Sequence, residues 1–304
     1  MAEIIATRRL PGDAWDALGE VELVRLAELD APRPGVRVLV EVVERVDDSR
    51  LDLLPDLELV ANYGVGYDSV DVAACARRGV AVTNTPGVLD AATADLAFAL
   101  VLAVRRRVVE ADRIVRSGGW NSNWASPVVL ADEVTGATIG IVGFGRIGQA
   151  VARRARGFEM RVLYARRGDG HSELGERREL DDLLRESDVV SLPVPLNDET
   201  RGLLSRERLA LLRDGATLVN TARGGVVDEE ALVDELRSGR IRAGLDVFAH
   251  EPQVPAELLE LPNVVLLPHV GSATAETRGA MTRVLVENVL AHLRGERPPN
   301  AVTA

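Results

Sequence analysis

Residues 138–154, TIGIVGFGRIGQAVARR, constrain the fold more than any other stretch of this chain. An apolar, β-branched run reads as a buried strand. It leads straight into Gly143-Phe144-Gly145-Arg146-Ile147-Gly148, after which the apolar spacing becomes that of a helix. Each glycine has a separate role in such a turn. Gly143 permits the tight bend, Gly145 lets a pyrophosphate come close to the main chain, and Gly148 lets the helix pack on the strand. The helix start offers the phosphates N–H groups that have no partner within the helix. Glycine-rich turns are common, so the pattern alone is weak. With a strand before it and a helix after it, it predicts a dinucleotide site.

The rest of the chain repeats that alternation. Strand patterns occur at 3–6, 36–40, 57–62, 80–84, 138–143, 161–164, 188–192, 216–220, 242–247 and 263–268. Amphipathic segments at 71–78, 147–156, 205–212 and 228–238 lie between them. Strand, helix, strand in this order means parallel sheets covered by helices. Ten strands exceed what one compact unit of this kind usually needs, so an α/β fold of two doubly wound parallel-sheet domains is expected. Long helical patterns at 90–117 and 273–294 are placed to carry the chain across and back. The segment 117–134, with Trp120 and Trp124, reads as loop.

Composition narrows the function. The 304 residues carry a net charge of −11, which argues against wholesale binding to nucleic acid or an anionic membrane. The apolar run DLAFALVLAV (95–104) is too short to span a bilayer, and MAEIIATRRL is not a leader sequence. One cysteine, Cys75, leaves no internal disulfide and no multi-cysteine metal site, so a reducing cytoplasm fits and no metal is expected. There is no lysine at all, which removes Schiff-base chemistry and a phosphate-loop lysine together.

The strand after the glycine turn ends in RVLYARRGDG. An NAD-preferring site places an acid near the end of that strand, to hold a ribose hydroxyl. Arg166 and Arg167 stand there instead. A guanidinium can clasp a 2′-phosphate that a carboxylate would repel, so NADP(H) is favoured. Asp169, a few residues on, keeps NAD(H) open.

Reduction of a carbonyl needs a proton donor, and histidine suits neutral pH. Of the four histidines, His171 lies in a charged loop and His292 on a helix near the C-terminus, while His269 follows a strand directly in LLPHVGSAT. Strand ends of parallel sheets are where ligands bind. Arg223 in LVNTARGGVVD, Asp246 and Glu251 in AGLDVFAHEP, and the turn Gly64–Gly66 in LVANYGVGYDSVD also fall at predicted strand ends.

Taken in order, ANYGVGYDSVD, GVAVTNTPGVLDAATADLAFAL, GIVGFGRIGQAVARRA, VNTARGGVVDEEAL, AGLDVFAHEP and LLPHVGSAT resemble the D-isomer-specific 2-hydroxyacid dehydrogenases over nearly the whole chain, and within them the glyoxylate/hydroxypyruvate reductase branch. The resemblance implies a Rossmann-type cofactor domain, 95–272, inserted into a split flavodoxin-like substrate domain formed by 1–94 and 273–304. It implies a catalytic trio of Arg223, Glu251 and His269, with the substrate carboxylate held by the backbone at Gly64, Val65 and Gly66. Thr93, Arg146, Ile147, Thr200, Thr221, Ala222, Asp246 and Gly271 match cofactor contacts, as do Arg223 and His269. Pro193, where many relatives carry histidine, Asn197, where many carry threonine, and the pair Ala249-His250 depart from the pattern.

The implied reaction is reduction of glyoxylate or hydroxypyruvate, with NADP preferred and NAD the alternative. D-Lactate or another D-2-hydroxy acid as substrate is the nearest competing reading. A nucleotide-sensing, corepressor-like binding protein is a remote one. A homodimer through the arm around 100–135, with Trp120 and Trp124 as anchors, also follows from the resemblance.

Overall fold

A computed structural model describes residues 2–121 and 129–302. The chain divides into two compact units, one formed by 1–89 with 272–304, the other by 90–271.

The first unit contains the strands β1 (Ile4–Ala6), β2 (Val21–Leu23), β3 (Val38–Glu41), β4 (Leu59–Asn62) and β5 (Ala81–Thr83), with short helices α1 (Asp48–Leu51) and α2 (Val72–Arg77). All strands pair in parallel, in the order β2-β1-β3-β4-β5. That order is the flavodoxin-like one. Residues alternate between the faces. Ile5, Leu39, Val60 and Val82 pack towards α1 and α2, and Ile4, Val38, Val40 and Leu59 pack on the opposite side. Asp71 caps α2 by accepting a hydrogen bond from Ala74 N at 2.8 Å.

The second unit opens with α3 (Asp90–Arg105) and α4 (Val108–Arg116). Then follow β6 (Thr138–Val142), α5 (Arg146–Gly157), β7 (Arg161–Ala165), β8 (Glu176–Arg177), α6 (Leu180–Glu186), β9 (Val189–Ser191), α7 (Arg206–Leu209) and β10 (Thr217–Asn220). The unit closes with α8 (Glu229–Arg237), β11 (Arg242–Leu245), α9 (Ala256–Glu260) and β12 (Val264–Leu266). Its seven strands are parallel, in the order β12-β11-β10-β9-β6-β7-β8. Strand order reverses between β6 and β9, the point beside which such sheets bind ligands. Ile139, Ile141 and Val219 face α3 and α5, and Leu163, Val190 and Leu218 fill the other face. The chain then returns to the first unit, where α10 (Ala275–Leu293) lays Leu285, Val286 and Val289 on the first sheet. Tyr63 Oη donates to Arg278 O at 2.7 Å and fixes that helix from the end of β4.

All ten expected strands are present. The sequence reading missed β2 and β8, which have three and two residues, too few to show a period. The single helix expected at 90–117 is two, because Arg107 is left-handed (φ 51°). Its guanidinium donates to both Glu110 oxygens at 2.7 and 2.6 Å and to Leu130 O at 3.0 Å, which holds the break. The pattern at 205–212 forms only the single turn of α7. Trp124 lies outside the described residues. Among the described residues, no helix is long and apolar enough to cross a membrane.

Candidate active site

The glycine turn follows β6 as the spacing requires. Gly143 has φ +98°, and a Cβ there would lie 2.6 Å from Val194 Cγ1 and 2.8 Å from Pro193 O. At Gly148 a Cβ would sit 2.2 Å from Gly143 O, so α5 rests on the turn itself. A Cβ at Gly145 would meet nothing within 4 Å. The first and third glycines are therefore needed by the protein's own packing, while the second borders open space at the start of α5. Arg146 stands at that helix start, exposed and 3.2 Å from Asp90, and Ile147 is half-buried behind it. This arrangement fits a pyrophosphate.

Three adjacent strands supply the chemistry. Arg223 follows β10, Glu251 follows β11 and His269 follows β12, so parallel pairing brings their loops to one edge of the sheet. His269 Nδ1 lies 2.7 Å from Glu251 Oε2. Glu251 Oε1 accepts Phe248 N at 3.0 Å, which fixes the carboxylate from the other side. Burial pushes the Glu251 carboxyl up, but the His269 ring, the Phe248 N–H and the Arg223 guanidinium outweigh it and hold the carboxyl below its ordinary value. The carboxylate therefore stays ionised through the neutral range. Among the described residues His269 Nε2 makes no hydrogen bond. A cavity of about 280 Å³ opens beside the pair, with Phe248, Leu259 and Leu266 among its apolar walls.

Asn220, at the end of β10, shapes the Arg223 loop. Its Oδ1 accepts Ala222 N at 3.0 Å and its Nδ2 donates to Arg223 O at 2.9 Å, which leaves Thr221 and Ala222 half-buried in the turn. A Cβ on Gly224 would lie 1.9 Å from Phe248 C, so the Arg223 loop can press against the Glu251 loop only with glycine at this position. Asp246 does comparable work under His269. Its wholly buried carboxylate accepts Val270 N and Gly271 N, each at 2.8 Å, and its main chain accepts His269 N at 2.9 Å. His269 is left-handed (φ 54°), and these bonds hold it there. Buried Thr93, on α3, flanks the same face of Gly271, where a Cβ would lie 3.7 Å from its side chain and 3.3 Å from Asp246.

A model of "D-isomer specific 2-hydroxyacid dehydrogenase, NAD binding domain" matches residues 98–271, more than half of the chain. The chain belongs to the D-isomer-specific 2-hydroxyacid dehydrogenase family. The glyoxylate reductase of Pyrococcus furiosus is 48% identical over 99% of this chain and 95% of its own. A crystal structure of a Thermus thermophilus protein superposes with a TM-score of 0.91 at 46% identity, covering 99% of both chains. An NADPH-dependent glyoxylate/hydroxypyruvate reductase from Sinorhizobium meliloti, in complex with NADP and malonate, gives a TM-score of 0.88 at 36% identity, covering 98% and 96%.

Within this family member the two arginines after β7 are not equivalent. Arg167 is engaged with Glu199, on the loop that follows β9. Arg166 donates only to Arg167 O, at 3.4 Å, and meets no carboxylate among the described residues. Its guanidinium leans on Gly170, where a Cβ would come within 2.9 Å. Asp169 points into solvent, 3.6 Å from Arg177. Thr200 Oγ1 donates to Pro195 O at 2.6 Å and accepts Asn197 N at 2.9 Å, so it braces the loop that carries Glu199.

In the first unit the turn Gly64–Val65–Gly66 is tied back by its carbonyls. Asn62 Nδ2 donates to Gly64 O (3.1 Å) and Gly66 O (3.0 Å), Asn84 Nδ2 to Val65 O (2.9 Å), and Thr85 N to Gly64 O (2.9 Å). Among the described residues the N–H groups of Val65 and Gly66 meet no acceptor, which is the arrangement of an anion-binding turn. The sequence reading singled out the glycines and missed Asn62, Asn84 and Asn220. For Asn62 and Asn220 the available signal was an asparagine two residues before a glycine or alanine at a strand end; Asn84, two residues before Pro86, lacked it.

Proposed function

We propose that this chain is a glyoxylate/hydroxypyruvate reductase that draws on NADPH in preference to NADH. The observation that carries the reading is the His269–Glu251 pair, 2.7 Å apart, with the second ring nitrogen uncommitted among the described residues and Arg223 on the neighbouring loop. The names of the relatives in Pyrococcus furiosus and Sinorhizobium meliloti support the same substrates.

Gly143, Gly145, Gly148, Arg146 and Arg166 would hold the dinucleotide, which supplies the hydride when bound. Arg223 takes the carboxylate and the 2-oxo oxygen of the substrate and polarises the carbonyl. In the first unit the N–H groups of Val65 and Gly66 suit an anion such as a carboxylate. As the carbonyl carbon is reduced, negative charge gathers on its oxygen, and His269 Nε2–H delivers the proton there. Glu251 holds Nδ1, so the ring keeps one orientation and a countercharge while it does so. The guanidinium of Arg166 supports NADPH, because a 2′-phosphate would give it the anionic partner it lacks among the described residues.

A homodimer belongs to the same reading. Helix α4 buries none of its residues. Val115, Trp120 and Leu130 are 57%, 61% and 75% exposed, apolar side chains that a second copy of the chain would cover. The reductase assignment is tested by initial rates with glyoxylate, hydroxypyruvate and pyruvate, each with NADPH and with NADH. Reduction of glyoxylate and hydroxypyruvate, faster with NADPH, is expected. Turnover confined to pyruvate with NADH overturns both substrate and cofactor assignments.

A further inference from the structure

Glu41 ends β3 with both carboxylate oxygens buried; among the described residues neither is met by a donor at good hydrogen-bonding geometry, and only the Glu44 N–H and the Ser69 hydroxyl come near. Such a group is costly to bury in charged form and uncommon without a purpose. Its neighbour in register on β4 is Asn62, and in a parallel pair the two side chains share a face. Asn62 is the residue that ties back the carbonyls of Gly64 and Gly66, while Glu41 O accepts Tyr63 N at 2.9 Å. Two residues beyond Glu41, Val43 is left-handed (φ 64°) and exposed, a conformation that β-branched residues avoid. The strand end is therefore held in place by its surroundings, at the edge that carries the turn.

We infer that Glu41 is a positioning residue for the substrate carboxylate: an uncharged carboxyl that backs the Asn62–Gly66 turn and, when it loses its proton, sets a negative charge behind the N–H groups meant for an anion. This rests on the assignment of that turn to the carboxylate. Burial pushes Glu41 up to about 8, with the Glu44 backbone and the Ser69 hydroxyl tempering the rise. Among the described residues the charges that act most strongly on it are two acids, Glu44 from its own loop and Asp68 from the segment after the turn, and both disfavour ionisation. Glu44 is itself held by Leu26 N at 2.8 Å, Arg45 is turned to Asp47, and Asp71 is spent on capping α2. Glu41 is thus neutral at pH 7 and ionises in mild alkali.

The test is the pH course of KM and kcat for glyoxylate between pH 6.5 and 9.5 in the intact enzyme, Glu41→Gln and Asp68→Asn. In the unaltered enzyme KM should climb about tenfold across pH 8, as expected for a like charge placed near the bound anion. The kcat should not share that step. Glu41→Gln should lack it, because the amide does not titrate. Asp68→Asn, a change at an exposed position, should move the step to lower pH by removing one of the two acids. Parallel KM courses in the enzyme and Glu41→Gln overturn the inference and leave the reductase reading standing. If Glu41→Gln does not fold, an unmoved step in Asp68→Asn overturns it equally. Absence of turnover with any 2-oxo acid overturns both, so the two failures are told apart.

Discussion

Gly224 lies so close to Phe248 that a Cβ would come 1.9 Å from the Phe248 carbonyl carbon. The contact joins the Arg223 loop to the loop that carries Glu251, so backbone packing sets the spacing of two proposed catalytic groups. Gly224→Ala is expected to cost about 1–3 kcal/mol or more, as overpacking does. It should lower kcat/KM disproportionately, because the loops must separate. Thermal unfolding together with glyoxylate kinetics checks this; an alanine variant with unaltered kcat/KM contradicts it.

The pair at the centre makes a sharper demand. His269→Gln removes the proton donor but not the fold of the turn, which rests on Asp246. The kcat for glyoxylate should fall ~10²–10⁴-fold, while NADPH binding, followed by fluorescence titration, stays within a few-fold. Glu251→Gln should lose less, since the ring remains and only its countercharge goes. A His269→Gln enzyme with near-normal kcat removes the acid assignment.

Cofactor choice is expected to reside in Arg166 rather than Arg167, because Glu199 already engages Arg167. Arg166→Asp should reduce NADPH preference over NADH by ~10–100-fold, the worth of a charge-assisted hydrogen bond. Arg167→Ala should change the ratio little. Ratios of kcat/KM for the two cofactors decide, and equal effects from both substitutions would show the distinction to be mistaken.

Glu41 makes a stability prediction independent of substrate. The unfolded chain releases this proton near 4.5 and the folded protein only near 8, so between those values the native state holds the extra proton. Stability attributable to Glu41 therefore falls as pH rises from 4.5 to about 8, by ~1.4 kcal/mol per unit at most, and levels off above that. Glu41→Gln lacks this slope. Denaturant unfolding across the window should show the variant gaining on the unaltered protein as pH rises; a constant difference contradicts the burial argument.

The exposed apolar side chains of α4 and the segment after it predict assembly. Val115→Asp should convert a dimer into a monomer, seen by light scattering, without unfolding the second unit. A protein that is monomeric before the substitution removes the interface.

The alternation of apolar strand and amphipathic helix, the glycine turn at 143–148 and the strand-end positions of Arg223, Glu251 and His269 were all legible in the sequence. They depend on short-range sterics and on which residues water excludes, and a linear chain records both. Where the local signal was weak, the sequence said less: β2 and β8 are too short to show a period, and the break at Arg107 depends on a hydrogen bond to Leu130, 23 residues away. Only the tertiary structure could show that Glu251 receives His269, that Asn62 and Asn220 shape their turns, that Glu199 takes Arg167 and leaves Arg166 open, and that Glu41 is sealed from water. Each of these is a meeting of residues distant along the chain, and a side chain's partners and desolvation are fixed only when the strands have paired.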